Sequence, residues 1–178
     1  DASPLPPDVI SYRRVGMWAP EEVPTTRGHS RAESSSISIA LNFHRASSHT
    51  SGVVQVLVFH ADQLPRVGTT VYGRRTYCCS ASLAARGRGP GCSTAGQLII
   101  APETPLSAPL SKRHHPHPIS GHSVTFAANQ STASLSQRVL VRQSGVHYLV
   151  LSSCDLRTGT VTFSGQTTWR NPHGYLPA

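Results

Sequence analysis

The sequence predicts an all-β fold, an antiparallel β-sandwich of about seven to eight strands with one short helix. Three observations predict it. Apolar runs are short, rich in Val, Ile, Thr and Tyr, and bounded by Gly, Asp or Pro, as strands and turns are. No periodic segment is long enough for the helix of a βαβ crossover. The 14 glycines and 14 prolines favour many short elements over long helices.

In chain order, residues 1–36 carry five prolines and little periodicity, and read as an irregular N-terminal segment. Val9-Ile10 and Val15 to Trp18 are apolar enough to pack on a sheet edge. The sandwich spans residues 37–168. Ile37, Ile39, Leu41 and Phe43 alternate with small or polar residues, the pattern of a half-buried strand. Val53 to Phe59 is the most apolar run and reads as a central strand. His60 to Thr70 is a loop, and Val71-Tyr72-Gly73 leads to the adjacent cysteines. Ser80 to Ala85 is a helix of one or two turns, with Ser80 as N-cap and Gly87 just past its end. Gln97 to Ile100 is a short strand. Residues 101–121 form a flexible Pro/His-rich loop. Ser123 to Phe126 is a strand, and Asn129 to Ser136 a polar loop.

The tail holds three more strands, Val139 to Val141, Val146 to Ser153 and Thr160 to Thr168, expected as a meander. In the middle one Val146, Tyr148 and Val150 share a face with Cys154, and Leu149 and Leu151 take the other. Apolar residues on both faces predict a strand covered on both sides. Residues 169–178 then read as an exit linker, since Pro172 and Pro177 break a regular strand or helix.

The net charge of +8 invites a nucleic-acid reading, but the basic residues are almost all arginine and scattered. A phosphate-binding stripe needs them on one face with exposed aromatics, so no nucleic-acid partner is expected. No apolar run is long enough for a transmembrane helix. The start at Asp1 reads as a processed product or a cut fragment. G-x-S-x-G, HExxH, P-loop and dinucleotide-binding motifs are lacking, so neither catalytic residues nor a cofactor is expected. His114, His115, His117 and His122 form the densest metal-type cluster. Pro116 and Pro118 interrupt it without a nearby carboxylate or thiol, so it reads as a solvated loop rather than a metal site. Asp155 reads as a turn opener. Ten histidines would add positive charge as pH falls, favouring acidic partners.

Four cysteines without a CxxC pair point to two disulfides in an oxidising compartment. Adjacent Cys78 and Cys79 would close a strained ring, so one should reach Cys92 and the other Cys154. The expected pairing is Cys79 with Cys92 and Cys78 with Cys154. Reduced, buried thiols in a cytosolic protein are the alternative. Asn129-Gln130-Ser131 is a glycosylation sequon, with Asn129 as acceptor.

Three stretches carry a family resemblance: YGRRTYCCSASLAARGRGPGCSTAGQLII from Tyr72, SGVHYLVLSSCD from Ser144, and GQTTWRNPHGYLP from Gly165. Together they resemble the plant-type branch of the GOLD-domain seven-transmembrane proteins, also called lung seven-transmembrane receptors. The likeness runs from Val53 to Ala178. It implies a GOLD-like lumenal sandwich that follows a signal peptide and precedes seven membrane helices, with Trp169, Asn171, Pro172, Gly174, Tyr175, Leu176 and Pro177 as the linker signature before the first helix. It also implies a Golgi, endosomal or cell-surface membrane and roles in vesicle trafficking or receptor-like signalling. The implied partners are the protein's own transmembrane helices, a lumenal protein or peptide ligand, and a G protein on the cytosolic side. In this family a lumenal cysteine can instead bridge to a loop between membrane helices, which leaves the pairing open. A competing class is a soluble secretory-pathway sandwich that binds carbohydrate or peptide.

Overall fold

Alternation of apolar and polar residues at period two dictates which side chains each strand buries, and the strands stack accordingly into two sheets. The computed structural model describes residues 3–5, 10–17, 34–46, 50–87, 90–102, 118–171 and 174–175. The strands are β1 (Ser3–Leu5), β2 (Ile10–Met17), β3 (Ser36–Arg45), β4 (Gly52–His60), β5 (Thr69–Val71), β6 (Arg74–Thr76), β7 (Ser120–Phe126), β8 (Thr132–Leu140), β9 (Gly145–Ser152), β10 (Val161–Asn171) and β11 (Gly174–Tyr175). Helix α1 is Ala81–Arg86, and single 3-10 turns span Ala61–Arg66 and Leu156–Thr158.

One sheet has the order β1-β10-β3-β8, with β11 against the end of β10, and the other β2-β9-β4-β7. All these pairs are antiparallel. Successive long strands switch sheets, apart from β4 and β7, which are neighbours separated by the insert 61–119. This is the strand order of a jelly roll, a two-sheet sandwich built from Greek keys.

Ile37, Ile39, Leu41 and Phe43 of β3 face Val54, Val56 and Val58 of β4, with Phe126, Leu149, Leu151, Val161 and Trp169 completing the core. The opposite face of the β4–β9 pair is also covered. There Leu57, Phe59 and Val150 pack under Val67, Cys78, Leu98 and Cys154, and the Phe59 and Tyr148 rings stack at 5.5 Å. The cover is the insert. Its β5–β6 hairpin turns through Tyr72-Gly73, both at positive φ, as two-residue hairpin loops require. Helix α1 begins at Ser80, whose side chain accepts from Leu83 N, and ends at left-handed Gly87. None of its residues is fully buried, but Leu83 and Ala84 pack against Cys79, Cys92 and Ile99, and covalent and backbone ties add to that contact.

The disulfides supply the covalent ties. Cys78 bonds Cys154, joining the insert to the chain just past β9, and Cys79 bonds Cys92 around α1. These are the bridges expected from the residues. All four cysteines are buried.

Several expectations need correction. The tail runs are strands but not a meander, because β9 sits in the opposite sheet from β8 and β10. A strand apolar on both faces belongs in the middle of a covered sheet, and β9 lies between β2 and β4. The N-terminal residues 1–36 are not irregular throughout, since β2 pairs with β9 over eight residues and β1 with β10. Among the described side chains of β2 only Met17 is buried, which weakens its pattern, and an edge tolerates Pro4. Gln97 to Ile100 is not a strand. It is held by bridges Cys78↔Leu98 and Val67↔Ile100 and by Gln55, whose side chain accepts from Leu98 N. Strand β7 begins at Ser120, inside the stretch read as loop, whereas 103–117 lies outside the described residues. Strand β8 begins at Thr132, where a polar loop was expected, because its Ser and Thr residues fill the solvent face opposite Ala133 and Leu135. Trp169 to Asn171 belong to β10, not to a linker.

The two bridges close loops of different length, with sequence separations of 76 and 13. Replacing Cys78 and Cys154 by serine should cost about 4 kcal/mol, and replacing Cys79 and Cys92 about 3 kcal/mol, by loop-closure entropy. Denaturant unfolding of the two double variants measures this. A smaller loss for the long-range pair would show that loop entropy does not govern the difference.

Candidate functional site

The central strands of the second sheet run out of apolar residues at one end of the sandwich. His60 ends β4, and its cross-strand partner is His147 of β9. By period-two parity each continues the inward face of its strand, after Val58 on β4 and before Leu149 on β9. Both are buried, and their rings meet edge-on with centroids 5.2 Å apart. Ser144 O can only accept, so His60 Nε2, 3.2 Å away, donates to it. His60 Nδ1 then accepts from Asp62 N at 3.3 Å, capping the first 3-10 turn, with Asp62 Oδ2 also 3.3 Å away. Gln143 Nε2 donates to the same carboxylate at 3.1 Å. His147 Nδ1 donates to Gly145 O at 3.3 Å. Gly145 has φ 131°, and a Cβ there would collide with His60 Nε2. Only glycine lets the ring sit over that backbone.

These imidazoles line a pocket of about 350 Å³ between the ends of the two sheets. Val58, Val139, Leu140 and Val141 form an apolar wall, and Arg142 and Gln143 the polar side. Cross-strand pairing places the pocket in the fold. Leu140 lies opposite Ser36, and Ser36 opposite Arg170, so the pocket shares its pole with the end of β10 and with β11.

The opposite pole is closed. Arg45 is 1% exposed, and its Nε and Nη2 donate to Gln130 O and Ala127 O, both at 2.8 Å. Its guanidinium lies 4.9 Å from the centre of the Phe126 ring. These contacts hold the β7–β8 turn, which carries Asn129, exposed and at φ 64°. Eight rungs separate the Thr162–His44 pair from the Arg170–Ser36 pair, about 27 Å of strand.

The other expected site residues are dispersed. Trp169 is a core residue, 5% exposed, whose Nε1 donates to Thr167 Oγ1 at 3.2 Å. Asn171 pairs with Gly174, and Arg170 with Tyr175. Pro172, Leu176 and Pro177 lie outside the described residues, as do His114, His115 and His117. His122 is on β7 and contacts Ser120 Oγ at 3.2 Å. Among the described residues no group of three or more His, Cys, Asp or Glu is placed to hold a metal ion, and no helix is long and apolar enough to cross a membrane. Asp155 caps the second 3-10 turn, accepting from Arg157 N at 3.1 Å and pairing with both Arg157 Nε and Nη2. That hydrogen bonding, followed by the carboxylate charge, holds the exposed Arg157 guanidinium above its ordinary pKa.

Sequence reasoning passed over His60, Asp62 and His147 as a group. The signal was a histidine at an inward position on each of the two most apolar strands. No family model, curated protein or solved structure matches this chain.

Gly145→Ala should displace the His60 ring and destabilise the fold by at least about 1 kcal/mol. Histidine ring NMR signals and denaturant unfolding together check this. Unchanged His60 signals in a variant of full stability would show that the glycine is not required.

Proposed function

We propose that this domain is the non-enzymatic lumenal recognition module of a Golgi- or endosome-type seven-transmembrane protein, acting in membrane trafficking or receptor-like signalling. The observation that carries this reading is the polarity of the sandwich. The sequon at Asn129 occupies one pole, and the end of β10, with the Trp169 to Tyr175 motif, occupies the other. A domain standing on a membrane through its C-terminal segment would hold its glycan away from the bilayer, where bulk is tolerated. Burial of Trp169 and pairing of β11 with β10 would fix the departing chain to the sheet rather than leave it free. Two buried disulfides suit a lumenal compartment. On this reading the partners are the protein's own membrane helices, a lumenal protein or peptide ligand, and a G protein across the membrane.

A second reading is a soluble secretory-pathway sandwich binding carbohydrate or peptide. One feature favours it. The outer face of the first sheet is a grid of short polar side chains, with rungs Thr162–His44–Thr132, Ser164–Asn42–Ser134, Gln166–Ala40–Ser136 and Thr168–Ser38–Arg138. Such a face offers many neutral donors and acceptors to a hydroxyl-rich ligand.

Sequencing the transcript beyond the codon for Ala178 separates the two. Seven apolar segments of about 20 residues are expected. A stop codon directly after Ala178 in every transcript would end the membrane-anchored role and leave the soluble one. On expression through the secretory pathway, N-glycosidase should sharpen the gel mobility of the protein, and Asn129→Gln should abolish that shift. A shift that persists in Asn129→Gln would remove the glycan from the argument.

A further inference from the structure

We propose that the His60–His147 pocket binds a small organic anion, a carboxylate or phosphate monoester carried on an apolar or sugar-sized body, and binds it more tightly as pH falls. The pocket's volume of about 350 Å³ suits a ligand of that size. Its chemistry suits an anion with one apolar side. Val58, Val139 and Val141 would take the apolar part, and Arg142 and the His147 ring the charged group, with His60 adding charge from behind.

Asp62 and Asp155 are the only acids among the described residues, and Asp155 sits with Arg157 near the far end of β4. Among the described residues, β4 brings His60, β9 His147, and the segment after β8 Arg142, while Arg138 of β8 lies on the outer face of the first sheet with Ser38 and Thr168. The first 3-10 turn brings Asp62 and also Arg66, whose Nη1 donates to Gln63 Oε1 and whose Nε donates to Ala101 O. β7 brings Ser120, bonded to His122, which pairs with Val56 two residues along from Val58. β2 sets uncharged Val15 opposite His147. Among the described residues around the pocket, with both rings neutral, Arg142 balances Asp62; with both protonated the formal charge is +2.

Protonation has a defined route for each ring. His60 gains its proton at Nδ1, which stops accepting from Asp62 N and donates to Asp62 Oδ2 instead. His147 already carries hydrogen on Nδ1, so its proton goes to Nε2. An imidazolium attracts an anion, so bound ligand favours the protonated rings and affinity rises as pH falls.

The test is histidine ring NMR on this domain at about pH 7.5 and 5.5, in low salt so that the arginines are weakly screened. Isovalerate is the carboxylate probe and isovaleramide its neutral counterpart; glycerol 3-phosphate and glycerol form the phosphate arm. Saturating shifts of both His60 and His147 are expected with at least one anion, and which anion gives them assigns the carboxylate or phosphate chemistry. Affinity should be about tenfold tighter at the lower pH, and the exposed Arg142→Gln variant should weaken it about fivefold. The neutral probes should give no saturating shift. The proposal is overturned if the neutral probes match the anions, if neither anion saturates by about 20 mM, or if affinity is flat with pH. That outcome would leave the membrane-anchored reading intact, because the transcript tests it separately.

Discussion

The β4–β9 pair must be covered on both faces, and the rest of the molecule is arranged around that requirement. Val54, Val56 and Val58 point one way with Leu149 and Leu151, and Leu57 and Phe59 point the other way with Tyr148 and Val150. Each large apolar side chain taken from water contributes about 1.5–3 kcal/mol. The first sheet can cover only one of these faces. The insert between β4 and β7 covers the second, and its described residues form a short 3-10 helix, the β5–β6 hairpin and α1. It is held by the Cys78–Cys154 bridge to the end of β9, by Gln55 accepting from Leu98 N, and by Arg75. Arg75 Nη2 donates to Leu64 O at 2.8 Å and to Val67 O at 2.7 Å. The Cys78–Cys154 bridge thus ties the cover to the apolar sheet face it packs on.

The same two strands also set where the sandwich opens. At one pole Arg45 joins the β7–β8 turn to the core, and Thr158 Oγ1 accepts from Val53 N at 2.9 Å, so the sheets are pinned together. At the other pole the inward positions change from valine and leucine to His60 and His147, and a pocket replaces the core. Polar groups this deep need partners, and the surrounding Asp62, Ser144, Gln143 and Gly145 supply them through short local bonds.

The strand cores, the both-faced burial of Val146 to Ser153, the Ser80-to-Gly87 helix and the two bridges were legible in the residues, because each rests on local spacing or on the geometry of a cysteine pair. The second-sheet edge β2 was legible only as apolar pairs fit for a sheet edge, because an edge strand buries too few side chains to show strong alternation. Strand β8 read as a loop from Asn129 to Ser136 because the sequence does not say which face is wet, and its Ser and Thr residues suit an exposed sheet face as well as a turn.

Local pattern thus determined that this chain makes antiparallel strands, which residues those strands bury, and that Cys79 is close enough along the chain to reach Cys92. The tertiary structure decided which strands pair. Whether a tail strand turns back on its neighbour or crosses the sandwich depends on the surface waiting for it, and that surface comes from residues far away in sequence. The crossing sent β9 against β4, set His60 opposite His147 across 86 intervening residues, and placed both at a pocket with Arg142. No spacing rule joins those three, because their proximity is produced by long-range pairing and not by any period of the chain.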